Sequence, residues 1–203
     1  MKTIQRVNNR FIQASQKADF EANLFAVLKD NPEAIDEGIL EGENASQRYH
    51  KNDPYETIKE FKRYDPEGYQ RALERSKKEL LNRLGRINFG QKGPIVFRAL
   101  SLQNPQDFTE KLLTSQTHVG IYWSFTRGMA RPYWAKAPTH KTVILEAELP
   151  PRSIDFLQLI EANTTRAFSQ DENEITALPS TPVFILNIVF ENQLTPVNRM
   201  HKT

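Results

Sequence analysis

The chain has 203 residues, 27 of them lysine or arginine and 25 aspartate or glutamate, with a formal net charge of +2 and 38% hydrophobic residues. That content supports a buried core and excludes wholesale disorder, and the near balance of charge excludes a polybasic tail as the means of holding nucleic acid or membrane. Cysteine is absent, which removes disulfides, zinc–thiolate sites and a cysteine nucleophile.

Residues 1–10 hold no apolar run of signal-peptide length, and no segment approaches the roughly 20 apolar residues that cross a bilayer. A soluble protein of the cytoplasm, of the producing or a host cell, with no membrane partner, is expected. Through the first 90 residues the apolar spacing predicts helices. Phe20, Leu24, Val27 and Leu28 recur at helical intervals and form one stripe. Asn31-Pro32, Asp53-Pro54 and Asp65-Pro66 each read as an N-cap followed by proline in the first turn, and Glu56 adds a capping box to the second. After the third, Tyr69, Leu73, Leu80 and Leu84 share a face of a long helix, with Gly85 as its expected stop. Residues 33–43 are acidic and 71–86 basic, the latter through Arg71, Arg75 and Lys78. Two solvated helix faces account for this, and contact of the basic one with a polyanion such as RNA is the alternative.

The character changes at Gly90-Gln91-Lys92-Gly93. Strands are expected over 95–100, 119–125, 142–149, 172–178 and 183–190. Asn104-Pro105 caps a helix carrying Phe108 and Leu112, and a short helix or turn follows Phe125. A turn at 179–182 joins the last two strands as a hairpin. The fold class is α+β, with a helical part over 1–90 and a mixed part over 91–203, or the two as one compact unit.

Three places carry chemistry. Arg98 lies within the apolar strand Ile95-Val96-Phe97-Arg98-Ala99-Leu100, on the face of Val96 and Leu100. A cation there is costly unless a phosphate, a carboxylate or an internal salt bridge meets it, or the strand face is exposed. In Tyr122-Trp123-Ser124-Phe125-Thr126 a small hydroxyl residue sits between aromatics. Thr126 is either an N-cap or part of a site, and Tyr122, Trp123, Tyr133 and Trp134 are either a stacking wall or core. Glu172 and Glu174 are two apart at a strand start behind a polar loop containing Phe168, so both project from one face. Glu146 and Glu148 repeat that spacing without a preceding loop and look like the solvated face of an edge strand. His50, His118, His140 and His201 show no metal spacing, and no glycine-rich phosphate loop is present.

In this order the strand arginine, the aromatic-Ser-x-Thr strand end and the Glu-x-Glu before a strand, turn and strand resemble the Arg-Ser-Glu class of mono-ADP-ribosyltransferases. That class includes arginine-modifying bacterial toxins and phage-encoded enzymes. The likeness runs over residues 94–190 and is densest over 168–184. It implies an ADP-ribosyltransferase-like split, mixed or antiparallel β-sheet core with a helical N-terminal part. It also implies transfer of ADP-ribose from NAD, as substrate and without metal, to a macromolecular acceptor.

The roles follow the matching positions. Glu174 corresponds to the glutamate that stabilises the oxocarbenium-like ribose through its 2′-hydroxyl. Arg98 would hold the phosphate and ribose side of NAD, and the Ala99 backbone would lie near the nicotinamide amide. Ser124 and Thr126 would hold NAD and the glutamate, and Tyr133 or Trp134 would wall the nicotinamide. Glu172 and Phe168 would face the acceptor. Three departures from the pattern stand out: Phe125 and Thr126 keep its hydroxyls only in part, Pro132 falls where relatives run a helix, and Ala99 replaces a common glycine. Glu172 favours a protein arginine as acceptor, while the basic 71–86 helix would suit an RNA or DNA base. A toxin, phage or anti-phage effector, with an inhibitor or antitoxin protein as partner, is the implied setting. The alternatives are an inactive module of the same fold binding nucleic acid or protein, and a carboxylate-pair hydrolase of another glycosidic bond.

Overall fold

The computed structural model describes residues 2–36, 38–39, 54–114, 118–130, 139–164, 173–190 and 193–203, with only the backbone of 2–8 and of 54. Helix α1 (Lys2–Asp30) buries Phe20 and Leu24, and Val27 and Leu28 pack partly against the same core. The Phe20 ring meets those of Phe89 and Phe156 at 5.4 and 5.2 Å between centroids. Asn31 stands at the N-cap position before Pro32 but makes no side-chain cap: its Nδ2 donates back to Val27 O at 3.0 Å, and a 3-10 turn (Pro32–Ile35) follows, with Asp36, Gly38 and Ile39 helical after it. Asp53 lies outside the described residues, and α2 runs Pro54–Tyr64. Asp65 does cap α3 (Pro66–Leu84), accepting from Gly68 N at 2.8 Å. Gly85 ends α3 with ordinary right-handed dihedrals, not in the left-handed region.

Polar contacts fasten this helical part. Buried Asp36 accepts from Lys62 Nζ at 3.0 Å and from the Tyr69 hydroxyl at 2.8 Å, joining the 3-10 turn to α2 and α3. Arg83 of α3 donates to Asn163 O at 3.0 Å on α5 (Phe156–Thr164). Helix α4 (Pro105–Leu113) is capped by Asn104, which accepts from Asp107 N at 3.1 Å.

The strands are β1 (Ile95–Leu102), β2 (Tyr122–Ser124), β3 (Lys141–Glu148), β4 (Glu174–Thr176), β5 (Pro182–Phe190) and β6 (Gln193–Lys202). They form one six-stranded sheet in the order β4-β2-β1-β3-β5-β6, with every pairing antiparallel. The fold is therefore mixed α and β, with helices concentrated before the sheet. Val96, Leu145, Ala147, Val183, Ile185 and Ile175 are wholly buried and join Phe20, Leu24, Leu80 and Leu159 in one apolar cluster. Among the described residues no helix is long and apolar enough to cross a membrane.

Several expectations are corrected. Strands β2 and β4 are shorter than 119–125 and 172–178. The hairpin of the last two strands does not form, because β4 pairs with β2 while β5 pairs with β3 and β6. Strand β5 buries Val183, Ile185, Ile188 and Val189, and needs a neighbour on each edge. Strand β6 escaped the sequence pattern because its side chains are mostly exposed and it contains Pro196, tolerable on an edge strand.

The pair Glu146 and Glu148 is not on an edge, since β3 lies between β1 and β5. Glu148 is buried and binds the 90–93 loop, accepting from Gln91 N at 3.1 Å and Lys92 N at 2.9 Å. A Cβ on Gly90 would stand 1.8 Å from Glu148 Oε1, so glycine is what admits the carboxylate. Replacing Glu148 with alanine leaves two backbone N–H groups without their acceptor. The expected loss is about 1–3 kcal/mol, read as a lower urea midpoint; an unchanged midpoint contradicts this account.

His201 on β6 is buried opposite Val183, and neither ring nitrogen finds a partner among the described residues. Burial, then the positive charge of Arg199, holds its pKa below the ordinary 6.5. The unfolded chain therefore binds a proton that the folded chain resists. Stability should be independent of this group at neutral pH and fall as the pH drops below about 6.5. Thermal melts of His201→Phe should show a weaker loss between neutral and acidic pH than the parent.

Candidate functional site

The site is built on the narrow end of the sheet. Strand β2 pairs with β1 only at Phe97 and Ser124, whereas β1 and β3 match in eight successive pairs. Strands β2 and β4 match at Tyr122–Thr176, Trp123–Ile175 and Ser124–Glu174. Directly paired residues share a face. One row therefore crosses the sheet as Glu174, Ser124, Phe97, Glu146 and Asn187. Asn187 Nδ2 donates to Glu146 Oε2 at 3.2 Å within it. This row faces away from the apolar cluster, and Glu174 in it is half-buried.

Glu174 and Ser124 are held from several sides. The Thr176 hydroxyl, two residues on and on the same face, donates to Glu174 Oε1 at 3.0 Å. Asn163 of α5 is buried, and its Nδ2 donates to Glu174 O at 2.7 Å and to Leu159 O at 2.8 Å. Asn173 takes a left-handed φ of 48°. Its Nδ2 donates to Thr126 Oγ1 at 3.1 Å, and Phe125 N donates to Asn173 O at 2.9 Å. The Ser124 hydroxyl donates to Thr126 O at 3.0 Å and accepts from Thr126 N at 3.2 Å. Thr126 thus ties the end of β2 to the start of β4. It makes no side-chain cap on the 3-10 turn Arg127–Met129 that follows.

Arg98 stands in the next row, with Leu145 and Ile188, and so projects from the apolar face, opposite Ser124 and Glu174. Its Nη1 donates to Tyr122 O at 2.6 Å, while its Nε is buried without a partner among the described residues. Burial alone lowers its pKa. Among the described residues no carboxylate forms an ion pair with it. The guanidinium fits because of Gly120, where φ is +77° and a Cβ would meet Arg98 Cζ at 2.7 Å. Trp123 Nε1 donates to Gly120 O at 3.1 Å and fixes the same turn.

The remaining expected residues divide plainly. Ala99 shares the outward face of β1 with Phe97, opposite Ile144 of β3. Trp123 is buried core, whereas Tyr122 is 57% exposed on the Ser124 face, paired with Thr176. Glu172, Phe168, Tyr133, Trp134 and Pro132 lie outside the described residues. Among the described residues no group of three or more His, Asp or Glu is placed to hold a metal.

Sequence reasoning passed over Asn163, Asn173, Thr176 and Gly120. Thr176 was accessible to it, since a period of two puts it beside Glu174. Asn163 was not, because its role depends on how α5 packs beside β4.

Gly120→Ala should cost roughly 1–3 kcal/mol, through the left-handed φ and the displaced guanidinium. A urea titration in which this variant matches the parent would show that Arg98 is not packed there. In comparisons with family models, curated proteins and solved structures, none matches the chain.

Proposed function

We propose that the chain is a mono-ADP-ribosyltransferase that moves ADP-ribose from NAD to a macromolecular acceptor. The observation that carries this reading is the cross-strand pair of Ser124 and Glu174 on the outward face of the sheet, with the Thr176 hydroxyl on Glu174 Oε1. The chemistry asks for a carboxylate fixed in direction and free of any cation that would neutralise it. Among the described residues Glu174 has no salt bridge. Hydrogen-bonded to the ribose 2′-hydroxyl, it would offset the positive charge that develops as nicotinamide leaves with the electron pair of the C1′–N bond. The acceptor nucleophile then bonds to C1′ and gives up a proton, for which Glu172 is the assigned base.

Further support comes from the single-pair junction of β1 and β2, a place where a sheet can part into the split form of an ADP-ribosyltransferase-like fold. Tyr122 offers an exposed ring on the Ser124 face. Arg98 acts from the other face: it holds the Gly120–Tyr122 backbone, and its cation, unneutralised by any described carboxylate, suits the NAD diphosphate. A protein arginine is the favoured acceptor, because Glu172 provides a carboxylate for a guanidinium, and the setting is an effector acting inside a cell. The experiment incubates the protein with labelled NAD and cell lysate, followed by protease, RNase or DNase separately. Label should appear in one acceptor class, and protease-sensitive label is expected. Glu174→Gln should reduce nicotinamide release by on the order of 100-fold or more with an unchanged melting temperature. No labelled acceptor together with no released nicotinamide overturns the proposal and leaves a binding module.

A further inference from the structure

Helix α1 carries two apolar stripes, and the fold covers one. Phe20 and Leu24 are buried, with Val27 and Leu28 beside them. On the opposite side Phe11, Ala14, Ala18, Ala22 and Phe25 follow one another at steps of three or four, within roughly 80° of helical arc. Ile4 and Val7 continue the spacing in the sequence. Phe11 is 72% exposed, Phe25 is 50% exposed, and the three alanines between them are exposed as well. From Asn9 to Asp19 every residue but Gln16 is exposed. A helical stretch of that kind buries almost nothing, and such helices are marginal in water unless an apolar face is packed.

We infer that this stripe is the surface through which two copies of the chain associate, α1 against α1 in antiparallel orientation. Charge selects both the partner and the direction. Residues 1–18 contain Lys2, Arg6, Arg10 and Lys17 and no acidic residue, whereas residues 19–30 contain Asp19, Glu21 and Asp30 against Lys29. A parallel pair would set like charge on like. An antiparallel pair sets the basic half of each helix along the acidic half of the other, and opposes the two helix dipoles favourably.

Steric fit selects the register. Alanines at the centre of the stripe let two backbones approach, and the phenylalanines lie toward its ends. A two-fold axis at Ala18 puts Ala14 on the partner's Ala22 and Phe11 on the partner's Phe25. Lys17 and Glu21, which flank the stripe on one side and pair with each other at 3.7 Å, then face the partner's Glu21 and Lys17. The buried stripe stays on its own fold, so each copy keeps its core and its candidate site.

The test is mass measurement by light scattering or sedimentation from about 1 to about 100 μM, combined with cysteine cross-linking in a chain that has no cysteine of its own. The full-length protein should run as a dimer at the upper end. Phe11→Glu should weaken association on the order of 100-fold or more and remove the concentration dependence of the thermal melt, with its melt equal to that of the dilute parent, since Phe11 is 72% exposed in the single chain. Ala18→Cys alone should form a disulfide dimer, as should Ala14→Cys mixed with Ala22→Cys. Ala14→Cys alone should not, because its two copies would stand about 12 Å apart along the axis. A monomer at every concentration, a dimer indifferent to Phe11→Glu, or self-linking of Ala14→Cys each overturns the inference.

Discussion

Strand β2 is three residues long, and its ladder with β4 sets Ser124 directly opposite Glu174. A slip of one residue in this ladder would leave Ser124 and Glu174 on opposite faces of the sheet, so the site depends on the register. Three pairs of residues are too few to hold such a register alone. The surrounding polar side chains do so: Asn163 from α5 on the Glu174 carbonyl, Asn173 on Thr126, and Phe125 N on Asn173. Asn163 is itself engaged by Arg83 of α3, so the helical part braces the strand that bears the candidate carboxylate.

Arg98 is the second constraint. A cation aligned with Leu145 and Ile188 loses hydration and, among the described residues, gains no counter-charge. One carbonyl, that of Tyr122, and the space left by Gly120 accommodate it. The cost of desolvating a charge makes this arrangement hard to explain as packing alone.

Glu148 and Glu174 separate by environment. Glu146 and Glu148 have the same spacing as Glu172 and Glu174, yet one is bonded to Asn187 and the other is buried against the backbone of the 90–93 loop. Both Glu148 oxygens are used in holding the fold, while Glu146 accepts one bond at Oε2. Glu174 accepts from the Thr176 hydroxyl and meets no cation among the described residues.

Local signals in the sequence were sufficient for the α1 stripe, for the caps at Asp65 and Asn104, for most strand positions, and for the mixed class of the fold. Each depends on periodicity or on a side chain bonding within a few residues of itself. Arg98 was recognisable as anomalous because an arginine among apolar strand neighbours is so from the sequence alone. Strand order was beyond such signals: nothing local says that β4 leaves β5 and joins β2, or that a polar segment with Pro196 becomes β6. Nor could spacing alone show that Ser124 faces Glu174, that Arg98 is on the other side, or that Asn163 stands behind the site. Those relations join residues distant in the chain, and only the packing of one core over both halves decides which of them meet.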